Sequence, residues 1–275
     1  MRNVIDLKDV LFRRGNKEIL TNIDWTIEKK EHWAILGLNG SGKTSLLNII
    51  SAHQFPTEGE VHVLGNRYGE TNLPELRKEI GFVSSSLERF AQLFQHETVE
   101  RVIISGKFAS FGLYEHPSPA DWERADELLH DFRLSYVKGK PINLLSEGEK
   151  RRILIARALM NKPRMLIMDE PCSGLDLLSR EQFLHTLKVV TKNDCHLVYV
   201  THHVEELMED ITHVLLLKEG SIVASGKKKD VMTDDLLTET YNVPVKIRWD
   251  EGRPYVSIKR SEPIRTDSEG IQMFT

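Results

Sequence analysis

One stretch of eight residues, Gly37-Leu38-Asn39-Gly40-Ser41-Gly42-Lys43-Thr44, constrains this chain more than any other. It satisfies the pattern G-x-x-x-x-G-K-[ST] at every defined position. The apolar run Trp33-Ala34-Ile35-Leu36 before it predicts a short buried strand, and the spacing of Leu46, Leu47, Ile49 and Ile50 after it predicts a helix. Strand, glycine-rich turn and helix are the context in which the pattern cradles phosphates. Glycines let the backbone come close to an anion, and successive N–H groups and the helix N-terminus then point at it. Gly37, Asn39, Gly40, Ser41, Gly42, Lys43, Thr44 and Ser45 are the candidate phosphate residues. Lys43 supplies a mobile positive charge for the terminal phosphates, and the Thr44 hydroxyl is a magnesium ligand. A chance glycine turn preceding Lys-Thr needs neither flank.

The rest of the chain alternates between strand and helix signals. Alternation in Val4–Leu7 and Ile23–Ile27 around a turn at Gly15-Asn16 predicts antiparallel strands at the start. Further strands are predicted at Gly59–Gly65 and Ile80–Val83. The period turns helical from about residue 86 to 161, and strand signals return at Met165–Met168, His196–Val200 and Val214–Leu217. This order predicts an α/β fold with a mainly parallel sheet and a helical insertion. From Val243 the alternation Val243, Val245, Ile247, Trp249, a turn at Asp250-Glu251-Gly252 and a second alternation at Tyr255–Ile258 predict a small C-terminal β-hairpin.

Met165–Met168 delivers two adjacent carboxylates, Asp169 and Glu170, to the end of a buried strand. In a phosphate-loop enzyme the first would hold magnesium and the second would polarise an attacking water as general base. Taken without the upstream loop, the pair would be read as a cap on the helix after Pro171.

Leu145-Ser146-Glu147-Gly148-Glu149, with Lys150–Leu159 behind it, resembles the signature motif and helix of ATP-binding-cassette (ABC) ATPases, usually written Leu-Ser-Gly-Gly-Gln. Glu147 and Glu149 depart from that form, while Ser146 and Gly148 are kept. Ser173-Gly174-Leu175-Asp176 resembles the family's D-loop, and Thr201-His202 resembles its switch histidine. The resemblance spans roughly residues 3 to 235. It implies a P-loop NTPase (RecA-like) core with an antiparallel β subdomain and the helical insertion. The corresponding boundaries are an ATPase domain over residues 1–240 and an extension over 241–275. It also implies ATP and magnesium as ligands, and ATP hydrolysis as the activity. Ser146 and Gly148 would meet the γ-phosphate of ATP held by an opposite subunit, with Asp176 coupling the two sites and His202 contacting the γ-phosphate. A homodimer, or a heterodimer with a second ABC ATPase subunit, follows, together with an integral membrane permease as partner. Read without the family, Ser146 is a helix N-cap with Glu149 three residues on, and a histidine such as His203 after a strand is a structural residue.

Two positions depart from the family pattern. Its adenine-stacking aromatic aligns with Arg14, so that either the guanidinium stacks, nearby Phe12 substitutes, or Arg14 is a solvated charge. Its glutamine after Ile80–Val83 aligns with Ser85 in Ser84-Ser85-Ser86, and a hydroxyl reaches a metal only through a water. The serine run is similar to a branch near the molybdate-type cassette ATPases. Cys172 is a packed small residue, and Cys172 and Cys195 form neither a disulfide framework nor a metal cluster. A formal net charge of −4 excludes a nucleic-acid surface read by bulk charge. No apolar run approaches the roughly 18 to 20 residues that span a bilayer, so the expectation is a cytoplasmic chain, and the permease that the resemblance implies would make it peripheral on the inner face of the membrane. Two functions are consistent with these residues: a transporter's ATPase subunit, which the single cassette and the absence of a basic tail favour, and, as the alternative, a soluble ABC ATPase in regulation or nucleic-acid and translation remodelling, which Ser85 favours.

Overall fold

The computed structural model describes residues 3–84, 94–108, 116–191 and 194–259. In chain order the strands are β1 (Asn3–Arg14), β2 (Lys17–Glu28), β3 (Trp33–Leu36), β4 (Glu58–Val63), β5 (Asn66–Arg67), β6 (Ile80–Ser84), β7 (Met165–Asp169), β8 (His196–Thr201), β9 (His213–Lys218), β10 (Ser221–Lys227), β11 (Val245–Asp250) and β12 (Arg253–Ile258). The helices are α1 (Lys43–Ile50), α2 (Leu73–Lys78), α3 (Val99–Ser105), α4 (Pro119–Asp131), α5 (Glu147–Ala158), α6 (Leu177–Thr191), α7 (Lys228–Val231) and α8 (Asp234–Tyr241). They fall into two units, one from Met1–Thr71 and Val198–Thr275, the other from Asn72–Leu197.

In the first unit, alternation makes an antiparallel sheet in the order β2-β1-β4-β5. Ile23, Trp25 and Ile27 of β2 are buried, whereas Asp24 and Thr26 between them are exposed. β3 is buried at all four positions, as a central parallel strand requires, and pairs with β8 on one side and β9 on the other. β10 closes that group antiparallel to β9. Trp33 stacks on His213 with ring centroids 4.9 Å apart and meets Trp25 edge-on at 5.5 Å. The predicted C-terminal hairpin is present: Val245 pairs with Ile258 and Asp250 with Arg253. Glu251 (φ 45°) and Gly252 (φ 78°) form its two-residue turn, the left-handed pair that matches strand twist.

In the second unit β6 and β7 run parallel, with Ser84 opposite Asp169. Helices α3, α4, α5 and α6 pack beside one another. Pro117-Ser118-Pro119 leads into α4: Ser118 caps it, Pro119 opens it, and the Asp121 carboxylate accepts the Ser118 N–H at 2.9 Å. Among the described residues no helix is long and apolar enough to cross a membrane.

Candidate nucleotide site

The first unit carries the phosphate loop between β3 and α1. The β3–β8 register sets Leu36 beside Thr201, so Gly37 and His202 leave neighbouring strands at the same edge. Ligand sites of parallel sheets lie at this carboxyl edge. Each glycine of the loop has its own reason, crowding at Gly37 and Gly42 and backbone conformation at Gly40. A Cβ on Gly37 would lie 2.2 Å from the Leu217 carbonyl oxygen and 2.7 Å from Ser41 Oγ. Gly42, at φ 105°, is the residue before α1, and a Cβ there would meet the Leu20 side chain at 2.8 Å. Gly40, at φ 82°, has nothing within 4 Å of such an atom, so its glycine serves conformation and an open approach. Lys43 is buried and its Nζ donates to the carbonyls of Gly37 and Leu38, 2.7 and 3.0 Å away, so the ammonium bridges its own loop. Ser41 Oγ is buried with no hydrogen-bond partner among the described residues, as a hydroxyl that receives a phosphate oxygen would be. Thr44 is exposed and Ser45 half-buried in the first turn of α1, whereas Asn39 is exposed at the loop's tip.

His202 is half-buried, its ring 4.0 Å from that of His203 at a tilt of 39°. The His203 N–H donates to Thr201 Oγ1 at 3.0 Å, and Thr201 and Tyr199 donate to the buried Glu206 carboxylate at 2.7 and 2.8 Å. His203 Nδ1 lies 3.6 Å from the Glu205 carboxylate. The turn after His202 is therefore tied down by hydroxyls and a carboxylate. Arg14 is exposed at the end of β1 and Phe12 is buried, so exposure leaves the guanidinium the more available of the two for a base.

The second unit holds the acidic strand end and the signature turn. Asp169 closes β7, and Glu170 follows with φ 48°, a left-handed conformation that costs a non-glycine residue about 1 kcal/mol or more. Both are half-buried. Ser146 is the N-cap of α5, and its N–H and hydroxyl both donate to the Glu149 carboxylate at 2.7 Å, completing a capping box. The Tyr136 hydroxyl donates to the other Glu149 oxygen at 2.5 Å. Burial raises the Glu149 carboxyl, yet the hydrogen bonds from Tyr136 and Ser146 prevail and hold it below its ordinary range. Gly148 is buried against α6, where a Cβ would lie 3.3 Å from that of Ser179. Asp176 accepts the Ser179 N–H at 2.7 Å, a bond that lowers its carboxyl pKa and caps α6.

Arg151 was invisible in the sequence reading. It is buried one turn into α5, and its guanidinium donates to the carbonyls of Pro171 and Ser173 at 2.8 and 2.5 Å. The signature helix is thereby bolted to the backbone that follows Glu170. Nothing in its immediate neighbours marks it; the signal is an arginine on the apolar face of a helix. Ser85 lies outside the described residues. Cys172 and Cys195 are both buried, and burial pushes the Cys195 thiol up to about 12.

The family profile described as ABC transporter matches residues 20–173. An uncharacterised ABC transporter ATP-binding protein of Bacillus subtilis (strain 168), YlmA, is 42% identical over 264 residues, 95% of this chain and 98% of that protein. The molybdenum import ATP-binding protein ModC of Vibrio parahaemolyticus is 31% identical over 227 residues, 81% of this chain and 58% of that protein. Among solved structures, the ATP-binding cassette MJ0796, in a dimeric post-hydrolysis state bound to ADP and Pi, superimposes with a TM-score of 0.67 at 28% identity, covering 81% of this chain and 98% of that one. The loop, the acidic strand end and the signature turn thus sit on the P-loop NTPase fold that the resemblance implies, and the chain belongs to the ABC transporter family as an ATP-binding, ATP-hydrolysing cassette.

Proposed function

We propose that this chain powers transport through a separate integral membrane permease, by ATP-driven closure of two cassettes. Each pair is a homodimer or includes a sister subunit. The observation that carries this reading is the phosphate loop, in which a buried lysine, a buried hydroxyl with no partner among the described residues, two glycines required by close neighbours and a third in a left-handed backbone leave few uses other than gripping a polyphosphate. Lys43 counters the charge of the terminal phosphates while loop N–H groups cradle them. Thr44 in the first unit and Asp169 in the second are each hard oxygen donors of the kind that would hold magnesium, which would supply charge neutralisation to the phosphates when bound. Glu170 polarises the attacking water, its left-handed backbone being the kind of local strain that functional sites retain. His202 hydrogen-bonds the γ-phosphate. Ser146 and Gly148 face the ATP of the opposite cassette, with Asp176 linking the two sites.

Bare apolar side chains support pairing: Leu144 is 71% exposed, and Leu177 and Leu178 are each 68% exposed, all three in the unit that carries Ser146. The names of the relatives favour the transporter reading over a soluble regulator, and in this reading the working chain is cytoplasmic and peripheral on the inner membrane face. Glu170→Gln is expected to accumulate an ATP-bound dimer on gel filtration, with nucleotide binding intact; a profile of monomers alone under saturating ATP overturns the closure mechanism. Copurification from membranes with an integral protein tests the permease, and ATPase stimulation by RNA or DNA without membrane association would overturn it.

A further inference from the structure

The C-terminal hairpin has no part in the phosphate loop, yet its turn is seated on the segment that follows the switch histidine, and both belong to the same unit. The Arg253 guanidinium donates through Nε to the carbonyl of Glu205. Glu205 lies in the single 3-10 turn Val204–Glu206, whose end carbonyls have no helical donor of their own. An ionised donor on such a carbonyl makes a charge-assisted bond. A second tie is Lys228, a buried ammonium that donates to Met208 O at 2.7 Å, Glu209 O at 3.5 Å and Gly252 O at 3.4 Å. It stitches the hairpin's turn to the same segment. The hairpin is fixed at its other end by Asp234 Oδ1, which accepts the Ile247 N–H at 2.8 Å, and by Thr238 Oγ1, which accepts the Val245 N–H at 3.1 Å.

We infer that the hairpin is a clamp on the switch turn, and that Arg253 is a positioning residue for His202. From the clamped Glu205 the chain of contacts is short. Its carboxylate is 3.6 Å from His203 Nδ1, and the His203 ring is the surface on which His202 packs, 4.0 Å away. On the opposite side the turn is held by the Tyr199 and Thr201 hydroxyls on Glu206. His202 is therefore carried on a turn pinned from the strand on one side and from the hairpin on the other. Without Arg253 one of those pins is gone, and the imidazole samples a wider range of positions.

This inference rests on the proposed part of His202 in hydrolysis, and a steady-state ATPase experiment on the full chain separates the two. Arg253→Ala is expected to lower kcat about tenfold, as displacement of a catalytic group does. KM for ATP should stay within about twofold, because phosphate binding is untouched. Arg253→Lys, which keeps a cationic donor for the carbonyl, should recover most of the loss. In a His202→Ala background Arg253→Ala should have no further effect, since the two act in series. The clamp is overturned if Arg253→Ala keeps its kcat while His202→Ala loses it, or if Arg253→Ala costs the same factor with and without His202. A lowered melting temperature with unchanged kcat counts against it equally. If His202→Ala hydrolyses ATP as fast as the wild type, the functional reading of His202 falls and the clamp falls with it.

Discussion

The phosphate loop and the signature turn both present a serine and a glycine near a helix N-terminus, but they are held in opposite ways. The loop is fixed by backbone. Gly37 abuts the Leu217 carbonyl, the Gly220 N–H donates to Ser41 O at 2.9 Å, and Lys43 folds onto its own loop. The signature turn is fixed by exchangeable side chains, Glu149 and Tyr136, and Ser146 itself is exposed. The first structure is thus set by backbone contacts, whereas the second is set by side chains whose hydrogen bonds can exchange for others.

The contrast can be broken most sharply at Gly37. Gly37→Ala pushes a methyl into a strand carbonyl that cannot move aside, and is expected to destabilise the protein by about 2 to 3 kcal/mol, read as a lowered denaturant midpoint. Lys43→Ala comes next: losing two or more charge-assisted hydrogen bonds to phosphate should weaken nucleotide binding by about a hundredfold in a fluorescence titration. Unchanged affinity would remove the loop from the site. Gly148→Ala should be mild by comparison. Its methyl meets Ser179 Cβ at 3.3 Å, a contact that can give slightly, and alanine's better helix propensity of about 1 kcal/mol offsets it. A loss as large as that of Gly37→Ala would mean that the two turns are equally rigid.

The smallest effect expected is a pH dependence confined to the signature end. The folded Glu149 carboxyl lies below its ordinary value of 4.5, so its stabilisation is present above that value and lost as pH falls through the folded pKa. Melting curves of wild type and Glu149→Gln should therefore converge in acid, while the Gly37→Ala difference stays constant.

What could be read from the sequence was what is contiguous. The loop, Asp169-Glu170, the Ser146–Glu149 cap and the hairpin each announce themselves within a dozen residues, because glycine placement, alternation and capping are local physics. Arg151 on Pro171 and Ser173, Tyr136 on Glu149, and Arg253 on Glu205 were not legible, since each joins residues brought together only by packing. The capping reading of Ser146 holds in the structure, and Asp176 caps a helix in the same way. Nothing about capping prevents a later exchange of partners.

The wall behind Gly37 comes from Leu217 and Gly220, far downstream of the loop itself. During synthesis the glycines and Lys43 leave the ribosome long before that wall exists, and a nascent chain stopped short of β9 has a loop with nothing to lean on. Nucleotide loading should thus wait for the synthesis of β9. Fragments ending before β9 would bear the whole recognition pattern and still fail to retain ATP.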